Sequence, residues 1–227
     1  MAYDLFICDR TFSSWSLRGW LMFEKFDLPV TTHLVGCYSG TLARDLAPLA
    51  PARLVPTLRL PDGTVLGETL AIAETLAERH PQAGHWPEDA ALRATARWLC
   101  AEMATGFAAL RTACPMQLLR VYEDFAVSDA VRADLERIET LWAHARSLAG
   151  ADAGWLFGAY SLADVFYTPV AARIVGYDLP VSDSAKAYAM RLLGDPAVRQ
   201  WRTEGLRVPY DPEPYRQDLP ARPWPIA

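Results

Sequence analysis

The amino-acid sequence changes character once, near residue 85, and that change limits the architectures open to it. Before it, short apolar or β-branched runs alternate with amphipathic stretches. The segment His80-Pro81-Gln82-Ala83-Gly84-His85-Trp86-Pro87 is crowded with breakers. After it, the strong apolar periodicities are helical. Alternating elements build a small sheet covered by helices, whereas an unbroken series of helices builds a bundle. The expected organisation is an α/β domain over residues 1–82, a linker over 83–88 and an all-helical domain over 89–227. The 227 residues are enough to bury a core in both parts.

Leu5-Phe6-Ile7-Cys8 has the form of a short buried strand. Ser13 or Ser14 caps a helix running through Leu17, Leu21, Phe23 and Phe26, and Pro29 stops it. Residues 31–35 are β-branched and predict a second strand, parallel to the first in a βαβ unit. A short helix within 39–50 precedes a stretch broken by Pro51 and Pro56. Residues 57–60 and 64–66, joined by Pro61-Asp62-Gly63, predict a hairpin, and Glu68 to His80 a helix. Helical patterns then cover 89–113, 129–149, 162–175, 182–193 and 196–205. After Leu206 the prolines at 209, 212, 214, 220, 223 and 225 predict an extended, packed tail.

Composition narrows the function classes. The chain is 52% hydrophobic and 22% charged, which predicts a folded protein. Acidic residues number 27 against 22 basic ones, a net charge of −5, and no Lys/Arg run is present. Nucleic acids and anionic membranes both need a basic surface, so neither is an expected partner. No apolar stretch reaches the roughly 18 residues of a membrane span, and the first residues lack the pattern of a signal peptide. Cys8, Cys37, Cys100 and Cys114 are far apart with no CxxC pair, which predicts a cytoplasmic protein with reduced thiols. The four histidines lack metal-ligand spacing, and no metal site is expected.

Signatures for phosphate-binding loops, dinucleotide sites, zinc proteases and serine hydrolases are absent. Three local features remain. Phe12-Ser13-Ser14-Trp15-Ser16-Leu17-Arg18 spans a strand-to-helix junction, where side chains reach the carboxyl edge of the sheet and free N–H groups point outward. Leu54-Val55-Pro56-Thr57 opens a strand with a proline compatible with a cis or a trans bond. Gly67-Glu68-Thr69 leads into a helix N-terminus, a seat for a carboxylate.

In their order and spacing, followed by a linker and helices, these features resemble the cytosolic glutathione S-transferase family over nearly the whole chain. Gly158-Ala159-Tyr160-Ser161-Leu162-Ala163-Asp164 adds a further marker. In the family such a box caps a central buried helix, which makes Ser161 and Asp164 structural. The resemblance implies a thioredoxin-like first domain that binds glutathione as co-substrate. Serine-using members place the hydroxyl that meets the glutathione sulfur five residues before an arginine, which points to Ser13 before Arg18, with Ser14 as the alternative. Val55 would hold the cysteinyl part through its backbone, with Pro56 cis, and Leu54 beside them counts among the glutathione-binding residues. Glu68 and Thr69 would hold the γ-glutamyl end, and Arg53 the glycyl carboxylate.

The resemblance further implies a homodimer and a second-substrate pocket between the domains, taking a small apolar electrophile and lined by Phe12, Trp15, Met103, Phe107 and Arg111. Trp15 and Leu54 stand where zeta-class members carry Cys and Gln. The chain is therefore similar to bacterial-type members that fall in no sharply defined class. The expected function is a glutathione transferase. The alternatives are a glutathione-dependent isomerase or peroxidase, a non-catalytic transferase-like binding protein, and a thiol redox protein acting through Cys8 or Cys37.

Overall fold

The computed structural model describes residues 2–150, 154–208, 211–213 and 215–226. β1 (Tyr3–Ile7), α1 (Ser14–Glu24) and β2 (Val30–Leu34) form the βαβ unit, with β2 parallel to β1. α2 (Leu42–Leu46) leads through a 3-10 turn to β3 (Thr57–Arg59) and β4 (Val65–Leu66), an antiparallel hairpin, and α3 (Thr69–Arg79) follows. β3 also pairs antiparallel with β1, so the strand order is β2-β1-β3-β4. On one face of this sheet Leu17 and Leu21 of α1 and Ile72 and Leu76 of α3 pack with Leu5, Ile7 and Leu58. Full burial of side chains this size is worth about 1.5–3 kcal/mol each. On the other face Leu46 and Leu49 pack with Val35 and Cys8.

Beyond a 3-10 turn at Pro81–Ala83 the chain continues as α4 (Ala90–Thr105), α5 (Ala108–Ala113), α6 (Asp129–Ala149), α7 (Leu162–Gly176), α8 (Asp183–Leu193) and α9 (Pro196–Gly205). The single helix expected over 89–113 is broken in two. Gly106 turns to extended backbone, and a Cβ there would sit 2.8 Å from the Glu102 carbonyl oxygen, while Phe107 takes φ +55°. A two-stranded antiparallel ribbon, β5 (Arg120–Tyr122) with β6 (Ala221–Pro223), joins the tail to the helices. Three residues per strand are too few to show an alternation, so this ribbon was not foreseen in an otherwise helical half. Pro209 and Pro214 of the tail lie outside the described residues.

α7 is buried along its whole length and continues through Pro169, which explains an apolar face all round. Its start carries the capping box, with the Ser161 N–H donating to Asp164 Oδ2 at 2.9 Å. α1 packs directly on α7, where Arg18 Nε donates to the Phe166 carbonyl at 2.9 Å. Trp201 Nε1 donates to the Arg10 carbonyl at 2.6 Å, and Lys25 pairs with Asp195 at 2.6 Å, so α9 and its N-cap also tie the halves together. No helix among the described residues is long and apolar enough to cross a membrane.

The cysteine reading needs correction. Cys8 and Cys37 are joined as a disulfide, their Cα atoms 5.6 Å apart, while Cys100 and Cys114 are free and buried. Sequence spacing concealed this because the parallel pairing of β1 and β2 sets Ile7 opposite Leu34, which brings both chain segments together just past the strand ends.

Candidate functional site

The carboxyl end of β1 feeds α1 through a junction built by serines. Ser13 is the N-cap of α1, its Oγ accepting from the Ser16 N–H and donating to Ser16 Oγ at 2.7 Å. Ser16, fully buried, also accepts from the Cys8 N–H at 2.9 Å and so pins the helix start to the end of the strand. Ser14, the first residue of the helix, makes no side-chain hydrogen bond to a described residue, and it lines an interdomain cavity. The two adjacent serines therefore differ: one hydroxyl is committed to holding the helix, the other is not.

Beside this junction lies a cleft of about 300 Å³. Arg53, Leu54, Val55, Pro56, Glu68 and Thr69 all line it, with Trp15 forming one wall. The Val55–Pro56 peptide is cis, as is Ala50–Pro51. Val55 makes no backbone hydrogen bond to a described residue, leaving one donor and one acceptor at the cleft edge. Arg53 is exposed and joins no ion pair among the described residues. Glu68 is exposed with φ +61° and ψ 123°, a strained conformation for a residue with a Cβ, of a kind that costs roughly 1–3 kcal/mol and clusters at binding sites. It hands the chain to Thr69, whose N–H and those after it are the free donors of the α3 N-terminus.

On the other side of Trp15 a cavity of about 460 Å³ opens between the two halves. Phe12, Trp15 and Arg111 line it, along with Ser14, Arg173 and Tyr215. Two of the pocket residues expected from sequence are elsewhere. Met103 and Phe107 are 1% and 6% exposed and belong to the core. Met103 is turned to the interior of the bundle, its sulfur receiving Arg18 Nη2 at 2.6 Å. Phe107, at the break between α4 and α5, does not line the cavity, although its neighbour Ala108 does. Sequence reasoning missed Ser16, Arg173 and Tyr215. Arg173 leaves a signal, a lone arginine within the apolar window 165–177 with no acidic residue three or four positions away. The described residues contain no group of three or more His, Cys, Asp or Glu placed to hold a metal.

Residues 12–79 match the family model described as glutathione S-transferase, N-terminal domain. The chain also superposes over 92% of its length on all of a glutathione transferase homologue from Burkholderia, solved with bound glutathione (TM-score 0.68, 23% identity). Residues 12–79 are a glutathione S-transferase N-terminal domain, and the whole chain shares its fold with glutathione transferases. A sphingomonad glutathione S-transferase complexed with glutathione is similar over 90% of this chain and 100% of its own (TM-score 0.63, 20% identity). Among curated proteins, a probable maleylacetoacetate isomerase from Caenorhabditis elegans is 35% identical over 114 residues, 50% of this chain and 52% of that protein. The chain thus spans about half the length of the curated relative it matches. Its thioredoxin-like sheet followed by helices is the architecture that the resemblance implied.

Proposed function

We propose that the protein is a glutathione transferase in which Ser14 stabilises the glutathione thiolate for attack on an electrophile bound between the two halves. The observation that carries this reading is the meeting, across Trp15, of a cleft suited to a zwitterionic peptide with an uncommitted hydroxyl at a helix N-terminus. The α3 N-terminus and Arg53 offer positive ends for two carboxylates, Glu68 offers a negative one for an ammonium group, and Val55 offers its backbone to the peptide between them.

The energetics are sufficient. A free thiol has a pKa of about 8.5, so bringing it to about 7 takes roughly 2 kcal/mol. A hydrogen bond to a charged group is worth about 1.5–3 kcal/mol, and a helix N-terminus about 0.3–1 kcal/mol more. Ser13 stands in the expected spacing to Arg18, but its hydroxyl proton is engaged by Ser16, which favours Ser14 as donor. A second reading, glutathione-dependent isomerisation, draws support from the partial match to a protein named as an isomerase, and it would use the same thiolate.

The test is an absorbance titration of the bound glutathione thiolate in the wild type and in Ser13→Ala and Ser14→Ala. We expect a bound thiol pKa at least one unit below that of free glutathione, returning towards the free value in Ser14→Ala. In Ser13→Ala the shift should persist while stability falls by about 1 kcal/mol from the lost cap. An unshifted thiol in the wild type would favour a non-catalytic binding protein. A shift lost only in Ser13→Ala would reassign the donor.

A further inference from the structure

Two guanidinium groups, Arg18 and Arg111, lie against Trp15, and a third, Arg173, lines the cavity that Trp15 borders; none of the three pairs with a carboxylate among the described residues. Arg18 is engaged internally, by the Phe166 and Ser14 carbonyls, the Met103 sulfur and the face of Trp15 at 4.5 Å. Arg111 and Arg173 instead line the interdomain cavity together. Arg111 reaches two carbonyls through one nitrogen, at 3.3 and 3.4 Å, and lies 5.2 Å from the Trp15 ring centre. Arg173 is 5% exposed, donates from Nη1 to the Pro169 carbonyl at 3.0 Å, and leaves its buried Nε without a partner.

Such an arrangement is expensive. A buried cation without a counter-charge loses several kcal/mol of hydration. Burial and the neighbouring Arg111 together pull Arg173 down to about 10. Carboxylates are not scarce in this chain, and other arginines find them: Arg97 with Glu74, Arg137 with Glu102, Arg120 with Asp211. Yet among the described residues no Asp or Glu lines this cavity, whose other polar groups include the hydroxyls of Ser14, Thr112 and Tyr215. Among the described residues the cavity is lined by two cations and no anion.

We propose that Arg111 and Arg173 form an anion subsite, so that the second substrate is an electrophile carrying a carboxylate apart from its reacting carbon. This deepens the transferase reading and rests on it. A suitable probe pair is 4-chloro-3-nitrobenzoate and its methyl ester, which share a reacting carbon and differ in charge. With either, the thiolate sulfur attacks the ring carbon, the C–S bond forms, the C–Cl bond breaks, and chloride leaves with the bonding pair. The thiol proton has already passed to solvent.

The experiment measures kcat/KM for both probes, each divided by its uncatalysed rate, in the wild type, Arg111→Gln, Arg173→Gln and the exposed control Arg132→Gln on α6. We expect the acid to be preferred at least tenfold, and each of the two cavity variants to lower that preference about tenfold or more. Arg132→Gln should keep it. If Arg173→Gln fails to fold, Arg111→Gln decides. An ester processed as well as the acid, or a preference unchanged in Arg111→Gln, overturns the anion subsite and leaves the transferase reading standing. Calorimetric binding of the acid in the absence of glutathione separates the other failure. Binding that weakens in Arg111→Gln, with neither probe conjugated, supports the subsite and sinks the transferase reading; no binding and no conjugation overturns both.

Discussion

At the start of α7, Asp164 accepts from the Leu156 and Ser161 N–H groups, from Ser161 Oγ and from the Tyr188 hydroxyl at 2.7 Å, all out of reach of water. Those donors favour the carboxylate, but burial outweighs them and lifts its pKa to about 6. The folded state thus holds the proton more tightly than the unfolded chain. The associated stability is complete below about pH 4 and is lost as pH rises through about 6, roughly 3 kcal/mol in all. Asp164→Asn cannot titrate there. Denaturant unfolding between pH 4 and 7 should therefore show wild-type stability falling relative to Asp164→Asn, and a constant difference would contradict the raised pKa. Asp164 was legible in sequence because a capping box is local, with partners three residues apart. For Arg173 the sequence shows only a lone arginine in an apolar window; that no acid among the described residues pairs with it is decided in three dimensions.

At the scale of elements, α1 is positioned by a close approach. A Cβ on Gly19 would lie 2.7 Å from Pro56 Cβ and 2.9 Å from its Cγ, and a proline ring cannot swing aside. Gly19→Val should destabilise the protein by about 1–3 kcal/mol through overpacking, read as a lower urea midpoint. It should also weaken glutathione binding, because Pro56 and Val55 line the cleft. A variant of wild-type stability would mean that α1 moves freely against β3. Helix existence was legible throughout the chain because burial of one face repeats locally. The break between α4 and α5 was not, since Leu92, Ala96, Leu99, Met103, Phe107 and Leu110 stay in one helical phase across it. A single residue at φ +55° leaves no mark on periodicity. The β5–β6 ribbon joins segments about a hundred residues apart and has no local pattern at all.

The whole molecule has a main core that runs through both halves. One continuous apolar cluster contains Leu5, Leu21 and Leu58 from the first part and Leu99, Phe166 and Leu192 from the second. Trp20 and Trp201 meet across the joint with ring centres 5.2 Å apart. Urea unfolding followed by tryptophan fluorescence and by far-UV circular dichroism should therefore give coincident transitions. Separate midpoints would show that the halves unfold independently. The tail contributes Tyr215 to the cavity wall and is anchored by the Arg120–Asp211 pair at 2.6 Å.

What the sequence determined by itself was the βαβ-ββα order of the first half, the change to helices near residue 85, the cap of α7 and the set of residues lining the cleft beside α1. These depend on short-range chemistry: side-chain period, caps, prolines and turns within a few residues of one another. Tertiary structure alone decided which of two adjacent serines keeps a free hydroxyl, which cysteines pair, and that Met103 and Phe107 face inward. It also set two uncompensated arginines against one cavity. Each of those outcomes depends on atoms brought together by packing from distant points of the chain, and local chemistry carries no record of such neighbours.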